Sequence, residues 1–250
     1  MELFSNTLGL PISWPLQTHA VATYGWITLG NTNLEFWASL NNEDLPGADV
    51  LPLFHGLALE PDDLAGSLEI LNQRGISCKI PKPYITRTSV GRDVINFTNS
   101  VVLDVSSSMI CIFFCEWGTE GTIFPWREKI TTTERKQKQQ RQLLECAGGK
   151  LGITGLVEVE MSTTRLEEAT ERWLAITGQT QLPISLSSGV RLTLVAGDEN
   201  RITSIVIGVR SFPVACQILS EEGLLGEFRD GEASLSRAVC SGLHFRFRQA

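Results

Sequence analysis

Three titratable side chains stand apart from apolar neighbours. Glu35 lies inside Asn33-Leu-Glu-Phe-Trp37, His55 immediately precedes Gly56-Leu-Ala-Leu59, and Glu116 follows the run Ile110-Cys-Ile-Phe-Phe-Cys115. An acid in an apolar strand needs a partner. Glu35 can serve as a general base or metal ligand, pair with a basic residue, or face solvent from a sheet edge. For His55 the alternative to a functional role is a satisfied strand-end histidine, and for Glu116 an exposed acid before Trp117-Gly118. Aromatic residues gather in the same half, among them Trp14, Tyr24, Trp26, Phe36, Trp37 and Trp117. On strands such residues build core or line a pocket. The chain has no nucleophile elbow, phosphate-binding loop, paired CxxC site or nucleotide-binding glycine pattern.

The elements that position these residues follow from one stretch, Phe54 to Lys79. A short apolar strand, Leu57 to Leu59, is broken by Pro61-Asp62-Asp63, where an aspartate can accept from the free N–H groups of a helix. Leu64, Leu68 and Leu71 then recur at the spacing of a buried stripe, with Ile70 beside them. Arg74-Gly75 ends the helix, and a new strand is expected from Ile76 to Ile80. The pattern returns at Thr203 to Glu227, with Phe212, Cys216 and Leu219 as the stripe and Gly223 as the stop. A third copy starts at Gly155 and stops at Gly178. A fourth is partial: Glu2 to Gly9 aligns with Glu171 to Gly178, and Leu10-Pro-Ile-Ser13 recurs as Leu182-Pro-Ile-Ser185. This first copy is expected to lack its first strand and about half its helix, which leaves a sheet edge to be covered.

At 250 residues and 42% hydrophobic content, the chain has the composition of an ordinary globule able to bury roughly 70% of its unfolded surface. The net charge of −7 disfavours nucleic acid or an anionic membrane as partner. Six scattered cysteines show no pairing pattern, and no signal peptide or long apolar run appears, so a cytoplasmic protein with reduced thiols is expected. Residues 121–150 form a basic connector. Thr132-Thr133-Glu134 can cap a helix through Leu144, and that helix either is a solvated linker or offers a patch to an anionic ligand.

A strand–helix–three-strand unit repeated in pairs, with ALEPDDL…L…LNQRGI as its best signature and Leu-Gly-Leu-Pro after the first helix, resembles the vicinal oxygen chelate superfamily of glyoxalases, extradiol dioxygenases and bleomycin-resistance proteins. The resemblance implies an α+β fold in which paired βαβββ modules form two curled, mostly antiparallel, cup-like sheets of eight strands with flanking helices. The expected units are residues 1–120 (its second module from about 51), a connector at 121–150, and residues 151–250. It also implies a divalent metal (Zn, Fe, Mn or Ni) held by a His on the first strand and a Glu on the last strand of each module. Matched position by position, module one offers Glu35, and module two offers His55, one residue out of register, and Glu116. Modules three and four place Gly155 and Thr203 or Ser204 where a ligand would stand. Catalysis, if present, would fall to Glu35 and Glu116, with Trp26, Trp37 and His19 lining the pocket. The expected partner is a small organic molecule, without nucleic acid or membrane, and a homodimer is compatible. Two functions remain open: a metal-dependent lyase, isomerase or dioxygenase, and a metal-free binding protein like those for bleomycin resistance.

Overall fold

The repeated unit is built as its capping and stripe residues dictate. In a computed structural model, which describes residues 1–18, 22–40, 51–124, 131–186 and 188–250, strand β4 (Gly56–Leu59) leads into helix α1 (Leu64–Gln73). The Asp63 carboxylate accepts from the Ala65 N–H at 3.1 Å. Leu64 and Leu71 are buried, whereas Ile70 is exposed. The strand expected at Ile76 begins later: Cys78 forms only an isolated bridge to Val102, and β5 runs Lys82–Arg87. Pro83 is tolerated there because β5 is the outer strand of its sheet. β6 (Asp93–Val101) and β7 (Cys111–Trp117) complete the module, with strand order β4-β7-β6-β5 and β4 parallel to β7.

The second half repeats this plan twice and fuses the copies. β8 (Ile153–Thr163), α3 (Leu166–Thr177), β9 (Ile184–Ser185) and β10 (Arg191–Ala196) form one module, a strand short of the full set. β11 (Arg201–Val209), α4 (Phe212–Glu221), β12 (Leu225–Arg229), β13 (Glu232–Leu235) and β14 (Phe245–Gln249) form the other. The first strands of the two modules, β8 and β11, pair antiparallel and join everything into one seven-stranded sheet.

In the first half no described residue supplies the equivalent of β8. A π-helical turn, Leu3–Thr7, is followed by β1 (Ile12–Thr18), β2 (Ala22–Thr28) and β3 (Asn33–Ser39), which form a three-stranded sheet of their own. The expected eight-stranded cup is therefore two facing sheets, of three and four strands, with no ladder between them among the described residues. The repeat is nonetheless visible in three dimensions. Phe4 aligns with Trp173 and both are buried, and Gly9 and Gly178 end their helical segments at φ +73° and +72°, in the left-handed region that glycine enters without strain.

One buried cluster runs through both halves, from Phe4 and Leu8 to Phe245 and Phe247. Phe245 packs against Phe4 and Phe54 at centroid distances of 4.9 and 5.1 Å. Asn31, in the β2–β3 turn, adds a polar link: its amide donates to Leu156 O at 2.8 Å and accepts from Leu156 N at 2.9 Å. That pair of bonds substitutes for a neighbouring strand at Leu156, just before β10 begins to pair with β8 at Glu158. Asn31→Ala is expected to leave both Leu156 groups unpaired and to cost about 1–3 kcal/mol, read as a lower urea midpoint with unchanged slope.

The connector forms helix α2 (Thr132–Glu145), capped by a reciprocal Thr131–Glu134 box. It is docked rather than solvated: Arg135, Gln139 and Leu143, four residues apart, are buried. It packs on β2 where Gly30 leaves room. A Cβ at Gly30 would stand 2.8 Å from both Gln140 Oε1 and Leu143 Cδ2, and φ there is +85°. Among the described residues no helix is long and apolar enough to cross a membrane.

Candidate ligand site

In the β2–β3 ladder Trp26 lies opposite Glu35 and Tyr24 opposite Trp37. Directly paired residues share a face, so these four side chains project from the same side of the three-stranded sheet. The opposite side, with Ile27, Leu34 and Phe36, packs on Phe4 in the core. On β1, Trp14 pairs with Trp26 and their ring centroids are 4.6 Å apart. The facing four-stranded sheet contributes the row Tyr84, Phe97 and Trp117 across β5, β6 and β7. Tyr84 stacks on Phe97 at 5.0 Å, Phe97 meets Trp117 at 5.5 Å, and Trp117 meets Trp26 at 5.6 Å. An aromatic arc thus joins two sheets that share no backbone ladder among the described residues.

Glu35 sits within this arc. Its side chain is open to solvent yet densely surrounded, as on the floor of a concave site, and that desolvation holds its carboxyl above the usual carboxylate range. The Trp26 indole N–H approaches and partly opposes the shift, although Nε1 forms no hydrogen bond of good geometry. Glu35 in turn reaches Tyr24, whose hydroxyl is pushed up by burial, by Tyr84 and by this carboxylate. Cys115 feels it too. Burial pushes that thiol up to about 12, Glu60 and Glu35 add to the shift, and Arg135 opposes it, so Cys115 stays protonated at neutral pH and is no nucleophile. A carboxyl raised on folding stabilises the protein fully below its ordinary value of 4.5 and loses that contribution as pH rises through its folded titration. Glu35→Gln removes the titrating group. Urea midpoints of the wild type, relative to this variant, are therefore expected to fall as pH rises from 4.5, with the variant at least as stable at neutral pH.

The floor also carries a buried ion pair that the sequence pattern did not announce. Arg135 of α2 pairs with Glu60 at the end of β4, and its guanidinium lies 5.4 Å from the Trp117 ring centroid. Glu60 also receives Lys136 at 3.3 Å and the Thr132 hydroxyl at 3.2 Å. The usable signal was the four-residue spacing of Arg135, Gln139 and Leu143 inside a basic stretch. Asn99, paired with Cys115 on the same face as Phe97, buries a side-chain oxygen that accepts no hydrogen bond.

The other candidates lie apart from Glu35. Glu116 precedes Trp117 and so points to the opposite face of β7, where its Oε1 accepts from the Leu64 N–H at 2.9 Å and caps α1. This role went unrecognised because Asp62 and Asp63 stand so much closer to that helix in the chain. His55 lies just outside β4, with its carbonyl accepting from Cys111 N at 2.7 Å, and burial lowers its imidazole pKa. Trp26 is buried as a wall of the site, Trp37 is 42% exposed, and His19 falls outside the described residues. Among the described residues no three His, Cys, Asp or Glu side chains converge as a metal would require. Glu35, His55 and Glu116 are not brought together as a group of three: Glu35 shares the face of Trp26, Glu116 caps α1, and His55 lies just before β4.

The concave face of the second half is filled differently. Arg246 bridges Glu160 and Glu232, both at 3.0 Å, and Arg248 bridges Glu158 at 2.9 Å and Glu232 at 3.3 Å. Burial pushes Glu158 up, but the Thr193 hydroxyl and Arg248 outweigh it and hold the carboxyl below its ordinary range. These acids are spoken for by neighbours.

No protein-family model and no curated protein sequence matches the chain. Solved structures do. A hypothetical protein from Staphylococcus aureus superposes with a TM-score of 0.61 at 11% identity, covering 97% of this chain and 91% of that one. Homoprotocatechuate 2,3-dioxygenase from Arthrobacter globiformis gives 0.55 at 13%, covering 100% and 74%. A Mn(II)-bound glyoxalase from Novosphingobium aromaticivorans gives 0.51 at 10%, covering 100% and 77%. The chain therefore has the α+β fold of extradiol dioxygenases and glyoxalases, the vicinal oxygen chelate fold.

Proposed function

We propose that the chain binds a small organic molecule in the cup of its first half, without a metal, using the aromatic arc as wall and Glu35 as polar anchor. The observation that supports this best is the ladder that sets Tyr24, Trp26, Glu35 and Trp37 on one face, opposite a second row of aromatics. Apolar walls with few polar groups suit a small, largely hydrophobic ligand. The expected metal centre finds no support in the donor set, because Glu116 is committed to α1 and no three ligand-type side chains converge among the described residues.

A second reading keeps an enzyme in view. A carboxyl held above its usual range is a stronger base when ionised than an ordinary carboxylate, and Glu35 would then be the acid or base beside a carbonyl. The experiment that separates a metalloenzyme from either metal-free reading is metal content plus thermal shift with divalent ions, on wild type and Glu35→Ala. A site formed only in the native state would raise stability by about 2.7 kcal/mol at a hundredfold excess over its dissociation constant. We expect substoichiometric metal and no such shift. Stoichiometric metal that disappears in Glu35→Ala would overturn the metal-free reading.

A further inference from the structure

The reading of the first cup as a small-molecule site leaves open what charge its ligand carries, and the following rests on that reading. Two carboxylates border the floor, and they are in opposite states. Glu60 is neutralised by Arg135 and Lys136. Glu35 has no cationic partner among the described residues; its side chain keeps solvent-exposed surface although its surroundings desolvate it, and it shares its face with three aromatic rings. Trp37, two residues along the same strand, and Tyr84, on the facing sheet, are each 42% exposed, and Tyr84 and Glu35 both lie near enough to Tyr24 to shift its hydroxyl. Asn99 adds an acceptor without a donor. An anion would meet repulsion from Glu35, and a neutral molecule would gain apolar contact and a hydrogen bond to the carboxylate without charge attraction. A cation gains from the carboxylate and from the negative faces of Trp and Tyr rings. The chain's net charge of −7 draws cations as well.

We propose that the first cup takes a small organic cation, an alkyl- or arylammonium, with its nitrogen against Glu35 and its carbon substituents on Trp37 and Tyr84.

The test uses choline and its uncharged carbon isostere, 3,3-dimethylbutan-1-ol, which match in shape and differ in charge. Binding is followed by the NMR shifts of the tryptophan indole N–H groups in the full chain. Choline is expected to move the Trp37 and Trp26 signals and to bind about tenfold or more tighter than the isostere, the ratio that 1.4 kcal/mol of charge-dependent attraction produces. Glu35→Gln, which keeps a polar group of the same size but no charge, is expected to abolish the preference for choline over the isostere. Trp37→Ala, an exposed-residue change, is expected to weaken choline severalfold. Equal or tighter binding of the isostere in the wild type overturns the charge assignment and leaves the small-molecule site standing. If neither compound moves Trp26 or Trp37, the cup reading falls with it.

Discussion

Replacing Glu60 by Ala is expected to cost about 3 kcal/mol, because it strands the Arg135 guanidinium in a site where that residue is only 8% exposed. Forming a buried pair is not strongly stabilising in itself, but removing one partner leaves an uncompensated charge. The two partners are not equivalent. Arg135 has Glu60 and the Trp117 ring, whereas Glu60 also has Lys136 and Thr132. Arg135→Ala should therefore destabilise less than Glu60→Ala, and Glu60→Gln, which keeps an acceptor for the guanidinium, should fall between Glu60→Ala and wild type. Urea denaturation of the three variants checks the order. Equal losses for Glu60→Ala and Arg135→Ala would mean that Lys136 and Thr132 do not sustain Glu60 on their own.

The second large effect is expected at Trp14, which is 1% exposed at the back of the arc. Its ring lies 4.6 Å from Trp26, 6.0 Å from Trp117 and 6.1 Å from Tyr24, so it touches both sheets of the first half. Where a seven-stranded ladder holds the second half together, side-chain packing carries this load in the first. Trp14→Ala is expected to cost about 3–5 kcal/mol, the range for emptying a buried tryptophan site. Trp14→Phe keeps most of the contact area and should lose well under half of that. A small loss for Trp14→Ala, comparable to an exposed-site change, would show that the two sheets are held together elsewhere.

Much of the architecture was written in local rules. Pro61 and the aspartates after it, the leucine stripe and Gly178 each act within one turn of chain, so each was readable from spacing alone; the cap of α2, expected at Thr132-Thr133-Glu134, falls one residue earlier as the Thr131–Glu134 box. The repeat extended this to topology, since one unit read correctly is read several times. Strand starts were less legible: the strand expected at Ile76 waits until Lys82, because Cys78 and Ser77 are tied instead to Val102 and Asp104, beyond the end of β6. The candidate site divided along the same line. Placing Glu35, Trp26 and Trp37 on one face needs only strand alternation and a tight hairpin, both local. Glu116 needed a partner 52 residues away, and the Arg135–Glu60 pair spans 75 residues, so no spacing rule could assign either. The docking of α2 had a weak signature in its four-residue spacing. A basic composition concealed it, because charge normally marks a solvated face.

The two concave faces show why the first half is the one assigned a ligand. Both carry acids among strands, but in the second half Glu158, Glu160 and Glu232 each have an arginine within reach. In the first half Glu60 is paired in the same way and Glu35, among the described residues, is not. A carboxylate desolvated by its surroundings and left without a cation among the described residues is a costly arrangement for a purely structural residue, and a bound cation would relieve that cost.

The measurement that bears most directly on this account is a small-molecule fragment screen read on the six tryptophan indole signals of the chain, run first with chelator and then with added divalent ions. The account predicts hits that move Trp26 and Trp37 with chelator present, that are unaffected by metal, and that weaken in Glu35→Ala. Fragments that shift those signals only after a divalent ion is added, or that never shift them, would contradict it.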